Sequence, residues 1–231
     1  MILHMNKTEQ LNKLFDRWEA SRKSYQNKFI RDGIINEIEF ENSNSKRILF
    51  ITKEPNDPKQ TKWDFRDWWN EEIKYSFSSR IAEWAYGIEN DFPVFSSIWE
   101  DNSTDKGMEA LKKIAFMNIK KTGGTGKSNL KYLLKHLSSN EDKNKEFNFI
   151  REQIEIIQPK LIVLGLSWRE LREFVFPEIK NKWIESGYDI PIARLKKYKI
   201  VDFYHPSSRN APSAAYSFLQ NVIHSKAFQS L

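Results

Sequence analysis

Four short runs along the chain are almost wholly apolar: RILFIT (47–52), KIAFMNI (113–119), KLIVLGL (160–166) and KIVDFY (199–204). None alternates apolar with polar positions, so each predicts a strand covered on both faces, as in a parallel sheet. Between them, apolar residues recur at helical spacing. EFNFIREQIEIIQ places Phe147, Ile150, Ile154 and Ile157 on one face, and SWRELREFVF places Trp168, Leu171 and Val175 together. The segment near 212–228 does the same with Ala215, Phe218, Leu219, Val222 and Ile223. Near the start, Leu11, Leu14, Phe15, Trp18, Tyr25 and Phe29 predict an amphipathic helix over about 6–29, laid on the domain. Strands alternating with helices predict a three-layer α/β/α sandwich with a four-stranded parallel central sheet. Residues 140–145 read as a polar surface loop. No repeat or linker divides the chain, which predicts one domain spanning 1–231.

Composition supports an ordered core, since 39% of residues are hydrophobic and 14% aromatic. Lys and Arg outnumber Asp and Glu by 37 to 31, a net +6 that suits a polyanionic partner without requiring one. The absence of cysteine excludes disulfides, thiolate metal sites, a Cys nucleophile and a Cys-held iron–sulfur cluster. It also suits a reducing compartment. With no long apolar run and no signal-peptide pattern in MILHMNKTEQ, the expectation is a soluble cytoplasmic protein that does not enter a membrane.

In parallel sheets, ligands sit outside the carboxyl ends of the strands. Those exits here are TKEPND (52–57), NIKKTGG (118–124), GLSW (165–168) and YHPSSRN (204–210). The first presents Glu54, its backbone held extended by Pro55. The second presents Asn118, an amide that both donates and accepts. The fourth presents His205, followed by Pro206, Ser207, Ser208 and Arg209. A carboxylate, an amide and an imidazole in one crevice predict a hydrolytic or base-reading site. Plainer readings stand beside this one: Glu54 as a surface carboxylate, Asn118 as a loop cap, His205 as a structural histidine. His4, His136 and His224 read as solvated. Trp68, Trp69, Trp84, Trp99, Trp168 and Trp183 read as packing residues.

These exits resemble the motifs of the uracil-DNA glycosylase superfamily, over about 45–225. The family's first motif, G-Q-D-P-Y-H or G-E-x-P-G after an apolar strand, is similar to Thr52-Lys53-Glu54-Pro55-Asn56-Asp57. An Asn closing its second strand matches Asn118, and its third strand resembles PKLIVLG (159–165). Its last motif, H-P-S-x-x-S, matches His205-Pro206-Ser207. The resemblance implies a DNA glycosylase that cleaves the bond between a flipped-out base and its sugar, as a monomer, without metal or organic cofactor. Glu54 would stabilise the sugar cation and orient water, while His205 would hydrogen-bond the departing base. Asn118 would read the base edge, and Phe65, or Trp63 beside it, would stack on the ring. Ser207 and Ser208 would hold flanking phosphates. Three departures qualify the likeness. Glu54 replaces the Asp of the best-known branch. Asn56 replaces a Tyr that blocks the C5 position, leaving room for a 5-substituted pyrimidine. Arg209 stands in the region of an apolar wedge, where its guanidinium would plug the gap left by the base or bind DNA phosphate.

The stretch KKTGGTGKS follows Asn118 directly and offers a second reading. Strand, glycine-rich turn and helix are the setting of a phosphate-binding P-loop, although Lys121 stands where its first glycine belongs. Lys120, Lys121 and Lys127 would equally suit a DNA backbone. The alternatives to a glycosylase are therefore an ATP- or GTP-binding protein and a catalytically inactive DNA-binding module.

Overall fold

The computed structural model describes residues 5–71, 73–138 and 145–231. Among these lie seven strands: β1 (Gly33–Ile34), β2 (Ile48–Thr52), β3 (Ile114–Asn118), β4 (Leu161–Leu164), β5 (Ile184–Glu185), β6 (Pro191–Leu195) and β7 (Tyr198–Asp202). They form one sheet in the order β1-β3-β2-β4-β7-β6-β5. All four apolar runs are strands, and the block β3-β2-β4-β7 is parallel throughout. The expected four-stranded sheet is thus the centre of a seven-stranded mixed one. β1, β6 and β5 join it antiparallel. β1 and β5 are two residues long, too short for any periodicity to show, and β6 opens on a proline at the edge of its pairing.

Helices cover both faces. They are α1 (Lys7–Ala20), α2 (Glu37–Glu41), α3 (Phe65–Glu71), α4 (Ser76–Glu89), α5 (Asp105–Lys112), α6 (Leu130–Ser138), α7 (Lys145–Ile157), α8 (Arg169–Val175), α9 (Pro212–His224) and α10 (Lys226–Gln229). Side chains alternate along each strand, so the central strands feed two separate cores. Leu49, Ile51, Ala115, Met117, Ile162 and Leu164 pack under α1, α6, α7 and α8. Ile48, Phe50, Ile114, Phe116, Leu161 and Val163 pack under α3, α4, α5, α9 and α10. Such double coverage is why those runs are almost wholly apolar. Burying each large apolar side chain contributes about 1.5–3 kcal/mol.

The first helix is shorter than its apolar pattern implies. Asn6 caps α1 through a bond from the Glu9 N–H, and Leu11, Leu14, Phe15 and Trp18 form its buried face. The helix ends at Ala20. Arg22 is extended, and Tyr25 and Phe29 reach the same core after a 3₁₀ turn at Lys23–Tyr25. In α7 the buried face carries Phe149, Ile150, Ile154 and Ile157, while Phe147 is half-buried against Phe174. Lys145 opens that helix, and the rest of the expected loop, 140–144, lies outside the described residues.

One of the histidines departs from the solvated reading. His136 is half-buried against the Tyr25 hydroxyl, and burial, with Arg22 and Lys120 nearby, lowers its pKa to about 3. His224 is exposed, as expected, and pairs with Asp91 at 2.9 Å. His4 lies outside the described residues.

Candidate functional site

The parallel register sets Thr52 beside Asn118 at the ends of β2 and β3. The Thr52 hydroxyl donates to Asn118 Oδ1 at 2.7 Å, and the Asn118 backbone N–H donates to Asp32 at 2.8 Å. These bonds leave the amide's Nδ2 buried with no hydrogen-bond partner among the described residues. A buried donor without an acceptor is costly, at about 1–3 kcal/mol.

Glu54 follows β2. Its Oε2 accepts from Lys120 Nζ at 2.7 Å, with side chains only 5% and 1% exposed. Lys120 also donates to the Gly123 carbonyl at 2.9 Å and sits over the Tyr132 ring. Two of the three glycines of the GGTGKS stretch make this contact possible. A Cβ on Gly124 would stand 2.4 Å from the Glu54 carboxyl, and one on Gly123 would stand 2.1 Å from the Asp57 carbonyl. The Gly124 N–H donates to the Pro55 carbonyl at 2.8 Å. The loop is therefore pressed against the β2 exit as a wall. α6 starts only at Leu130, with Asn129 bonding the Tyr132 N–H, so Gly126-Lys127-Ser128 precede the helix and do not form its first turn. That is not the geometry in which a P-loop gathers N–H groups at a helix start.

Two of the expected DNA-contacting lysines are corrected by this arrangement. Lys120 is committed to Glu54 and is shielded from any backbone phosphate. Lys121 is fully buried, donating to Asp32 at 2.6 and 2.7 Å beneath the rings of Trp18 and Phe15. Gln153 completes the Asp32 carboxylate at 2.7 Å. Burial raises the Asp32 pKa, and Lys121, the Asn118 N–H and Gln153 oppose that rise. Lys127 and Arg209 are exposed.

His205 follows β7. Its Nδ1 accepts from the Ser207 N–H at 3.1 Å. Burial, followed by the nearby charge of Lys53, lowers its pKa to about 4. The ring is therefore neutral near pH 7 and carries its hydrogen on Nε2, a donor with no partner among the described residues. Arg80 steadies this loop through a bond to the Asn210 carbonyl at 3.0 Å.

Glu54, Asn118 and His205 all line one cavity of about 630 Å³. Asn56, Trp63, Phe65 and Ser207 line it too, so seven of the expected site residues meet there. Its aromatic wall is wider than the sequence suggests, because Trp68, Tyr75 and Phe77 join it. Phe65 packs deep against Phe116, with ring centroids 4.9 Å apart, and Phe77 lies 6.1 Å from the His205 ring. Trp63 is held at its Nε1 by Asp57, 3.3 Å away. Ser208 lines a neighbouring cavity of about 590 Å³, which shares Glu54, Asn56, His205 and Ser207 with the first. Trp168, read as a packing residue, is a wall of that second cavity. Trp69 and Trp84 are buried in the core, as expected. The only sequence signal for the missed aromatics is their density in KWDFRDWWNEEIKYSF (62–77).

Comparison with models of known protein families gives no match, and comparison with curated proteins gives none either. Among the described residues, no helix is long and apolar enough to cross a membrane. No group of three or more His, Cys, Asp or Glu residues among them could hold a metal ion.

Proposed function

We propose that this protein is a DNA glycosylase that hydrolyses the N-glycosidic bond of a flipped-out uracil or 5-substituted pyrimidine. The supporting observation is one cavity that combines an acceptor-seeking amide, a carboxylate and a neutral imidazole donor with an aromatic wall. A nucleobase supplies what each wall lacks. Its carbonyl accepts from Asn118 Nδ2, and its ring lies against Phe65, Trp63 and Phe77. Asn56 at the rim leaves space beside the ring for a substituent.

The bond from C1′ to the base nitrogen breaks with its electron pair leaving on the base. His205 Nε2–H hydrogen-bonds the charge that develops on the base oxygen. The Glu54 carboxylate faces the sugar cation and takes a proton from the water that attacks C1′, leaving an abasic sugar. That proton ends on the released base. Lys120 tethers one carboxylate oxygen and leaves the other for this work. Action on DNA with modified bases would suit either repair or defence against phage.

An oligonucleotide panel carrying uracil, mismatched thymine and 5-substituted cytosines, treated with alkali after incubation, tests the reading. We expect scission at one base, reduced about 10²–10⁴-fold in Glu54→Gln and strongly reduced in His205→Ala. If every base survives, the glycosylase reading fails. Salt-sensitive DNA binding would then leave an inactive DNA-binding module, and Mg²⁺-dependent ATP binding lost in Lys127→Ala would leave a nucleotide-binding protein.

A further inference from the structure

We infer that the second cavity seats the nucleotide adjacent to the cleaved one, which makes single-stranded or locally opened DNA the preferred substrate. The inference rests on the glycosylase reading of the first cavity and extends it. The two cavities, about 630 and 590 Å³, are divided by a wall of Glu54, Asn56, His205 and Ser207. A strand that delivers one nucleotide to the first cavity brings its neighbour to the second.

The chemistry of the second cavity is that of a nucleotide. Lys53 lines it, half-buried, and its Nζ donates to the Ser167 hydroxyl at 3.2 Å and lies 4.7 Å from the Trp168 ring. No carboxylate among the described residues lies within ion-pairing distance of it, since Glu54, its neighbour in sequence, pairs with Lys120. A partly desolvated ammonium without a counter-ion favours an anion. The acidic groups on the same wall do not supply one: Asp202 is taken by Arg172, and Asp189 is exposed. Burial lowers the Lys53 pKa, and the nearby charge of Glu54 opposes that shift. Thr125, Ser128 and Ser208 line the same cavity with hydroxyls of the kind that bind phosphate oxygens.

A flat surface lines that cavity as well. Tyr204 is 38% exposed at the rim, with one face stacked on Phe218 at 5.8 Å and 16°. Its outer face is a platform for a base. Anion and aromatic surface together describe a phosphodiester and its base. Seating two successive nucleotides would oblige a duplex to unstack twice, whereas a single strand meets no such cost.

The test uses a fluorescent single-stranded 12-mer with one internal tetrahydrofuran abasic analogue, and two versions with that analogue at either end. Because the probe has no base to remove, binding is read independently of cleavage. We expect Tyr204→Ala and Lys53→Gln to raise the Kd for the internal probe roughly 5- to 150-fold. Neither should alter the Kd of the terminal probe that lacks the relevant neighbour, and annealing a complement should weaken wild-type binding. Tyr204 is a surface residue, so loss of folding would not produce this pattern. The inference is overturned if both variants bind the internal probe like wild type, or weaken all probes alike. Tight displacement of the probe by ATP, sensitive to Lys53→Gln, would overturn it in favour of a free nucleotide. Absence of base release with the expected binding pattern would sink only the cleavage reading.

Discussion

Two consecutive lysines leave β3, and each ends in a buried ion pair of a different kind. Lys121 and Asp32 are both fully buried, and every Asp32 oxygen is engaged, by Lys121, Gln153 and the Asn118 N–H. Lys120 and Glu54 are nearly as buried, yet no described residue donates to the second Glu54 oxygen, and Glu54 faces both cavities. The first pair is saturated and joins α1, α7 and β3 into one scaffold. The second keeps a carboxylate oxygen open to whatever enters. Saturation separates a structural charge from a working one more clearly than burial does.

The largest expected effect lies on the scaffold side. Asp32→Ala leaves Lys121 buried without a counter-ion and the Asn118 N–H without an acceptor. We expect a stability loss of about 3–5 kcal/mol in urea unfolding at pH 7. A loss under about 1 kcal/mol would show that water reaches Lys121, and the contrast between the pairs would collapse.

On the working side the signs reverse. Lys120→Met should cost less stability than Asp32→Ala, because Glu54 faces a cavity that water can fill. It should instead lower kcat about 10²-fold with little change in KM, since the carboxylate loses its orientation and the base contacts remain. Steady-state base release from the cleaved oligonucleotide measures this split. An equal rise in KM, or an unchanged kcat, would make Lys120 a second scaffold lysine.

How much of this was legible in the sequence follows the same division. The central strands are almost wholly apolar because both faces are covered, so they could be read directly. Their exits, and with them Glu54, Asn118 and His205, followed from that reading. β1 and β5 carried no signal because two residues cannot display a period. Lys120 and Lys121 were misread because a lysine is ordinarily solvated, and the partners that bury them, Glu54 and Asp32, lie 66 and 89 residues away. The glycines of GGTGKS imitate a phosphate loop by spacing alone. What demands Gly123 and Gly124 is close packing on Asp57 and Glu54, a tertiary contact that no local pattern records, while Gly126 has open space beside it.

The smallest expected effect separates scaffold from site by acidity. His205 and His136 both have folded pKa values below the ordinary 6.5, at about 4 and about 3. The unfolded chain therefore binds protons first as pH falls, and each group removes stability over the window from about 6.5 down to its folded value. In calorimetry, His136→Gln should lose less stability than wild type between pH 6.5 and 4. His205 should leave kcat/KM level from pH 8 to about 5, because its imidazole gains its second proton only near pH 4. A fall centred near 6.5 would mean that water reaches the ring, and the neutral donor assigned to the cavity would have to be abandoned. His136→Gln should leave that profile in place, because its ring sits among Tyr25, Arg22 and Lys120 and lines neither cavity.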